Sequence, residues 1–154
     1  KNVEEKLTEG RYIVIESLQD PGNVGTVIRT AEAFSADAVI MTGECADPYN
    51  PKTVRATMGA IFRQRFFETE LESLKKMLDD AKVPLYAAAL SSRARDIREV
   101  SLKNAAVVIG SEGKGVSDKA IDLCDCEVII PMTGVTESLN AAVAAAIVLY
   151  EGIR

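Results

Sequence analysis

Three short segments of the 154-residue chain combine glycines with polar side chains that could take part in a reaction. They cover residues 20–30, 110–115 and 130–140. Glycine lets the backbone approach a ligand closely, while arginine, carboxylate and amide side chains can orient a substrate and assist proton transfer. The candidate side chains in these segments are Asn23, Arg29, Glu112, Ser138 and Asn140.

The glycine spacing in residues 110–115 excludes two common phosphate-binding loops. The segment reads Gly-Ser-Glu-Gly-Lys-Gly, the reverse of the dinucleotide-binding order G-x-G-x-x-G. Lys114 is followed by glycine instead of serine or threonine, so a Walker loop is excluded too. A nicotinamide-dependent oxidoreductase is therefore disfavoured. The chain also has no histidine, which rules out histidine-based triads and histidine metal ligands.

Each segment also has a simpler structural interpretation. Arg29 could be a surface arginine behind a plain turn, and Glu112 a solvated carboxylate in a glycine-rich loop. Ser138 could cap the last helix. Asn140, however, is predicted just inside that apolar helix, where a buried amide needs hydrogen-bond partners. We therefore expect Ser138 and Asn140 to form a polar pair beside the core.

Alternation of short apolar runs with helical patterns predicts an α/β domain whose sheet is mostly parallel and flanked by helices. Ligands bind beyond the carboxyl ends of strands in such sheets, which is where the three segments fall. The predicted strands are 12–15, 38–41, 65–67, 84–90, 105–109 and 127–130. The predicted helices are 24–34, 51–58, 70–81, 118–123 behind an N-cap at Ser117, and 139–150.

Composition narrows the class of protein further. Hydrophobic residues make up 47% and charged residues 27%, which excludes a disordered chain. No apolar run approaches the ~20 residues that span a bilayer. The net charge of −5 means that binding to nucleic acid would need a local basic patch. Basic residues cluster at Lys52, Arg55, Arg63 and Arg65, and again at Arg93, Arg95 and Arg98. These cations could bind phosphates or could equally form a solvated surface. Three cysteines without a CxxC spacing are interpreted as half-buried, reduced thiols.

Taken together, the three segments resemble the SpoU, or TrmH-like, family of RNA ribose 2′-O-methyltransferases of the SPOUT class. The resemblance covers nearly the whole chain and rests on three ordered motifs, with further agreement at residues 50–60. The first motif, N-x-G-x-x-x-R, is matched by Asn23, Gly25 and Arg29. The second, G-S-E-G-x-G, is matched by Gly110, Ser111, Glu112, Gly113 and Gly115. The third, I-P-M-x-G…S-L-N, is matched by Ile130, Pro131, Met132, Gly134, Ser138, Leu139 and Asn140.

This resemblance implies a C-terminal trefoil knot that binds S-adenosylmethionine, largely through backbone groups. The implied cofactor contacts are Ala89, Gly110, Ile130, Met132 and Leu139. It further implies an obligate homodimer that acts on rRNA or tRNA. The methyl donor is already activated, so no metal ion is expected. The reduced thiols and the lack of a bilayer-spanning apolar run lead us to expect a cytoplasmic protein away from the membrane. Residues 1–154 are expected to form one catalytic domain, and the N-terminal RNA-binding domain that many members carry is expected to be absent from this chain.

The family pattern places Arg29 at the ribose 2′-hydroxyl, with Asn23, Glu112, Ser138 and Asn140 arranging the site. Neutralising a guanidinium at pH 7 costs roughly 7–9 kcal/mol, so we expect Arg29 to clamp the adjacent phosphate and the 2′-oxygen. The proton would then leave with help from that phosphate or from Glu112. The alternative is a knotted module that binds S-adenosylmethionine or RNA without transferring a methyl group; the intact motif residues favour the enzyme.

Overall fold

The computed structural model describes residues 6–135 and 138–154; Thr136 and Glu137 of the third segment lie outside the described residues. Its strands are β1 (Arg11–Glu16), β2 (Ala38–Thr42), β3 (Phe66–Glu68), β4 (Leu85–Ala88), β5 (Arg95–Asp96), β6 (Ala105–Ile109) and β7 (Cys126–Ile129). Its helices are α1 (Pro21–Ala33), α2 (Pro51–Ala56), α3 (Leu71–Ala81), α4 (Asp118–Leu123) and α5 (Ala141–Ile153). Short 3-10 helices cover Ala60–Phe62 and Ile97–Glu99.

The strands form one seven-stranded sheet in the order β3-β2-β1-β6-β4-β7-β5. Every pairing between neighbouring strands is parallel, which confirms the predicted α/β class. In the centre of the sheet, Ile13 of β1 lies between Val39 of β2 and Val107 of β6. Central strands of a parallel sheet are covered on both faces, which explains why these runs are continuously apolar.

Two hydrophobic clusters cover the two faces of the sheet, because successive strand residues point to opposite sides. One cluster joins β1, β2 and β6 to α1 and α5 through Ile13, Ile15, Val39, Val107, Ile28 and Val148. The other joins the same strands to α3 and α4 through Val14, Ile40, Val108, Leu74, Leu78 and Ala120. The helix pair α1 and α5 therefore shares one face of the sheet.

The start of the last helix differs from the prediction. Helix α5 begins at Ala141 instead of residue 139, and its N-cap is Asn140 and not Ser138. Both Ser138 and Asn140 are exposed, so the expectation of a buried polar pair beside the core was wrong. The physical reason is that asparagine is a good N-cap residue. The side-chain oxygen of Asn140 accepts hydrogen bonds from backbone N–H groups in the first turn of α5.

Other elements agree with the sequence except at their ends. The strand predicted over 84–90 ends at Ala88, and strand β5 was not predicted at all. The trefoil knot stays a prediction, since strand order alone does not define how the loops are threaded. Across residues 6–135 and 138–154, every helix is too short or too polar to cross a bilayer.

Candidate functional site

A cavity of about 600 Å³ opens at the carboxyl-terminal edge of the sheet. Its walls come from the residues that follow β4, β6 and β7 and from the start of α5. This is the edge at which ligands bind in parallel α/β sheets, and the volume lies within the range of small-molecule sites. The second and third sequence segments therefore meet around one cavity.

The cavity brings together all five residues expected to contact a cofactor and two of the expected catalytic residues. Its lining includes Ala89, Gly110, Ile130, Met132, Leu139, Glu112 and Ser138. These residues come from loops that are far apart in sequence, so the folded sheet assembles the site. Local sequence could indicate each loop but not the cavity between them.

The glycine-rich loop after β6 is folded tightly on itself. Ser111 and Gly115 form an antiparallel bridge, in which the N–H of Gly115 donates to the carbonyl of Ser111 at 2.8 Å. Gly113 and Gly115 have φ angles of 88° and 69°, which glycine adopts without strain. A Cβ at Gly110 would lie 2.2 Å from the carbonyl carbon of Gly115, so only glycine fits there.

A buried carboxylate that the sequence analysis missed holds the far end of this loop. Glu16, the last residue of β1, is 7% exposed. Its two oxygens accept hydrogen bonds from the backbone N–H of Ser117 at 2.8 Å and from its hydroxyl at 2.5 Å. The Ser117 hydroxyl in turn caps α4. Glu16 therefore fixes the exit of the glycine-rich loop through charge-assisted hydrogen bonds.

A second carboxylate that the sequence did not single out lines the cavity itself. The side chain of Glu127, on β7, is only 11% exposed and forms an ion pair of 3.2 Å with Arg93. The Arg93 side chain is 78% exposed, so this pair lies at the rim of the cavity. No sequence signal marked Glu127, because a single acidic residue within a short strand has no recognisable pattern.

Two of the predicted polar residues lie next to the cavity and contact each other. The Asn140 side-chain oxygen accepts bonds from the N–H groups of Ala142 at 2.8 Å and Val143 at 3.1 Å. Its amide nitrogen donates to the side-chain oxygen of Asn23 on α1 at 3.3 Å. This contact ties the first motif to the third across α1 and α5, although neither asparagine lines the cavity.

Arg29 does not line this cavity. It is exposed on α1, six residues after Asn23. Among residues 6–135 and 138–154 its guanidinium forms no hydrogen bond or ion pair. Arg29 is thus available to a group that binds from outside this protomer.

Of the four cations expected to contact RNA, Lys52, Arg55 and Arg63 belong to segments that lie beside α1. Lys52 and Arg55 are on α2, and Arg63 and Arg65 flank the end of the following 3-10 helix and the start of β3; all four are exposed. Arg63 pairs with Glu32 of α1, and the Arg65 guanidinium lies 5.4 Å from the centre of the Phe67 ring. Phe67 packs in the cluster that contains α3 and α4, so the Arg65 guanidinium lies toward the other face of the sheet. Lys52, Arg55 and Arg63 are the three cations on the α1 side.

The three cysteines of the chain are free thiols. Cys45, Cys124 and Cys126 are free and half-buried, as expected from their spacing. Burial raises the pKa of the Cys45 and Cys124 thiols, which keeps both protonated near neutral pH. In the part of the chain that the structure describes, no group of three or more acidic or cysteine side chains could hold a metal ion.

Comparison with known proteins agrees with this geometry. Residues 10–150 match the SpoU rRNA Methylase family. The chain belongs to this family. The SpoU chain is 38% identical over 148 residues to the 23S rRNA (guanosine(2553)-2′-O)-methyltransferase RlmP of Bacillus subtilis (strain 168). That match covers 96% of this chain and 60% of RlmP.

Solved SpoU relatives share the fold. An AdoMet-bound rRNA methyltransferase from Sinorhizobium meliloti is 33% identical with a TM-score of 0.88, covering 96% of this chain and 57% of that one. The SpoU methyltransferase AviRb of Streptomyces viridochromogenes, in complex with the cofactor AdoMet, is 29% identical with a TM-score of 0.87. That match covers 96% of this chain and 61% of AviRb. The SpoU chain thus spans about 60% of the length of these relatives.

Proposed function

We propose that this SpoU chain transfers a methyl group from S-adenosylmethionine to a ribose 2′-hydroxyl of rRNA or tRNA. The observation that carries the proposal is that the second and third family motifs line the same cavity. The described residues form one sheet with helices on both faces, which supports one catalytic domain. An rRNA or tRNA substrate favours the cytoplasm as the place of action.

The residues around the cavity fit S-adenosylmethionine. Ile130, Met132 and Leu139 provide apolar surface for an adenine, while the 110–115 loop, which also lines the cavity, provides backbone polar groups. Gly110 keeps the loop close to its own far end, since a Cβ there would meet backbone at 2.2 Å. When bound, the cofactor supplies a methyl group on a sulfonium, which needs no metal to activate it.

The remaining work of the protein is to position the hydroxyl and to manage its proton. We propose that Arg29 binds the 2′-oxygen and the adjacent phosphate through its two-pronged guanidinium. Glu112 and Ser138 line the cavity, which supports the proposal that Glu112 accepts the proton and Ser138 orients it. Asn140 and Asn23 hold α1 against the start of α5.

The proposed active form is a homodimer. Helix α5 exposes three apolar side chains, Val143 at 47%, Tyr150 at 54% and Ile153 at 48%. They lie along one strip of the helix, and the Tyr150 ring packs edge-on against Phe34 at the end of α1. A second copy that covers this strip would remove apolar surface from water.

In this dimer, the Arg29 of each protomer is proposed to serve the cavity of its partner. The support is that Arg29 is exposed, unpaired among the described residues and outside the lining of its own cavity. Helix α1, which carries Arg29, packs against the same α5 that presents the apolar strip.

Mixed dimers test this arrangement directly. One protomer carries Arg29→Ala and the other Gly110→Ala, each with a different affinity tag for purification of the mixed species. If Arg29 acts on the partner's cavity, one of the two sites is intact and about half of wild-type turnover per dimer is expected. If Arg29 acts within its own protomer, both sites are damaged, and at a cofactor concentration well below the Kd of the Gly110→Ala protomer the mixed dimer is nearly inactive. A monomeric wild-type protein in sedimentation experiments would contradict the dimer itself.

The activity is tested with radiolabelled S-adenosylmethionine and in vitro transcripts of rRNA and tRNA, which carry no modifications. Label is expected in RNA and, after digestion, in a 2′-O-methylated nucleoside. Comparing ribose methylation in cells with and without the gene then identifies the position. Calorimetric binding of S-adenosylmethionine with no label in any RNA would instead support a binding module that no longer transfers methyl groups.

A further inference from the structure

The surface segment of residues 48–67 is strongly basic in an acidic protein. It contains four basic residues and no acidic one, although the chain carries a net charge of −5. Lys52, Arg55, Arg63 and Arg65 are its cations, and all four are exposed. A cluster of this kind favours contact with a polyanion such as the phosphates of RNA.

An exposed aromatic ring lies in this segment, between Arg55 and Arg63 in the sequence. Phe62 is 85% exposed, and Met58 beside it is 67% exposed. Ala60, two residues earlier, is 1% exposed and belongs to the core. Because a 3-10 helix has three residues per turn, burial of Ala60 places Phe62 on the outer side. An exposed phenyl ring gives up the stabilisation that burial would provide, so a role in binding is favoured.

The backbone beneath Phe62 is held in place by the rest of the fold. The N–H of Phe62 donates to the carbonyl of Gly59 at 3.2 Å, and that of Gln64 donates to Ala60 at 2.8 Å. The side chain of Gln64 is buried and donates to the carbonyls of Ala36 at 3.3 Å and Arg65 at 3.0 Å. The ring is therefore presented on a preformed support.

Phe62 lies on the side of the molecule from which Arg29 is exposed. Its neighbour Arg63 binds the carboxylate of Glu32 on α1, with an Nη2–Oε1 distance of 3.1 Å. Glu32 follows Arg29 by three residues, so the two side chains share one face of α1. The 3-10 helix that ends in Phe62 also packs against α1.

We propose that Phe62 stacks on a nucleobase of the substrate RNA next to the ribose that Arg29 positions. The inference rests on the function proposed above and adds a residue that contacts the base, while the cations of the same segment bind phosphates. Stacking on an aromatic ring tolerates any base, since every base has a flat π-face. It would hold an unpaired nucleotide in place rather than select its sequence.

The chain offers an internal reporter for this contact because it contains no tryptophan. In a Phe62→Trp variant the indole is the sole tryptophan, and a base stacked on it quenches its emission. Titration with single-stranded rRNA fragments is expected to quench the fluorescence. Inorganic polyphosphate, which carries similar charge without bases, is expected to bind the cations and leave the emission unchanged. Equal responses to both probes would overturn the inference.

Binding measurements with wild-type protein and three variants complete the test. Phe62→Ala is expected to raise the Kd for RNA roughly 5-fold to 100-fold, the range found for a stacked base, without changing the affinity for S-adenosylmethionine. Phe62→Leu, which is apolar but has no ring, is expected to be as weak as Phe62→Ala. Phe62→Tyr is expected to bind like the wild type.

Three outcomes would reject the proposal in distinguishable ways. Wild-type RNA affinity in Phe62→Leu would mean that apolar surface alone matters. A shift from dimer to monomer in Phe62→Ala would assign the ring to an interface between two copies of the chain. Methyl transfer by the wild type with unchanged RNA binding in all three variants would reject stacking and leave the proposed function standing. Absence of transfer by the wild type to any RNA would overturn the proposed function itself.

Discussion

An Arg29→Ala variant is expected to transfer methyl groups roughly 100-fold or more slowly than the wild type, because the hydroxyl loses the group that positions it. Its affinity for S-adenosylmethionine is expected to stay near the wild-type value, since Arg29 is proposed to contact the RNA and lies outside the cavity lining of its own protomer. Single-turnover rates with labelled cofactor measure the first quantity and calorimetry the second. Loss of cofactor binding together with activity would contradict this division of roles.

A second substitution tests whether Arg29 acts through its positive charge alone or through the paired donors of its guanidinium. Arg29→Lys keeps the positive charge but loses the two parallel donors of the guanidinium, so we expect it to remain close to Arg29→Ala in rate. Turnover near wild type in Arg29→Lys would show that charge alone suffices. Lys76→Ala serves as the matched control, because it removes one exposed cation from α3 and is expected to leave the rate unchanged.

Sequence alone predicts most of the sheet because most of its strands are short, continuously apolar runs. The run Ala-Ala-Val-Val-Ile was predicted over 105–109 and forms β6 with the same ends. Strand β5 contains only Arg95 and Asp96 and is a strand because it pairs with β7. Its ladder depends on a neighbour 30 residues or more away in the chain. No local pattern could have indicated it.

The site was predictable where a residue's role is local and unpredictable where it depends on a distant partner. The glycines among the six residues 110–115 are enough to predict a tight loop, and that loop does line the cavity. By contrast, the contact of Glu16 with Ser117 joins residues 101 positions apart. The cap at Asn140 was misjudged as a buried amide, because the apolar run after it suggested an earlier helix start.

The largest effect on cofactor binding is expected from a single added methyl group at Gly110. A Cβ there would lie 2.2 Å from the carbonyl carbon of Gly115, 2.3 Å from its oxygen and 2.4 Å from the nitrogen of Val116. All three are backbone atoms, so the loop itself must move to relieve the overlap. Overpacking of this kind typically costs 1–3 kcal/mol, and we expect Gly110→Ala to raise the Kd for S-adenosylmethionine roughly 10-fold to 100-fold.

Gly134→Ala is the matched control for this prediction. It makes the same chemical change in the loop that carries the third motif, but its Cβ would meet nothing within 4 Å. Calorimetry is therefore expected to find wild-type cofactor affinity in Gly134→Ala and a large loss in Gly110→Ala. Thermal unfolding of both variants separates a local change in the loop from general destabilisation, because a displaced surface loop leaves the two hydrophobic clusters intact. Wild-type cofactor affinity in Gly110→Ala would mean that the 110–115 loop does not form the binding wall.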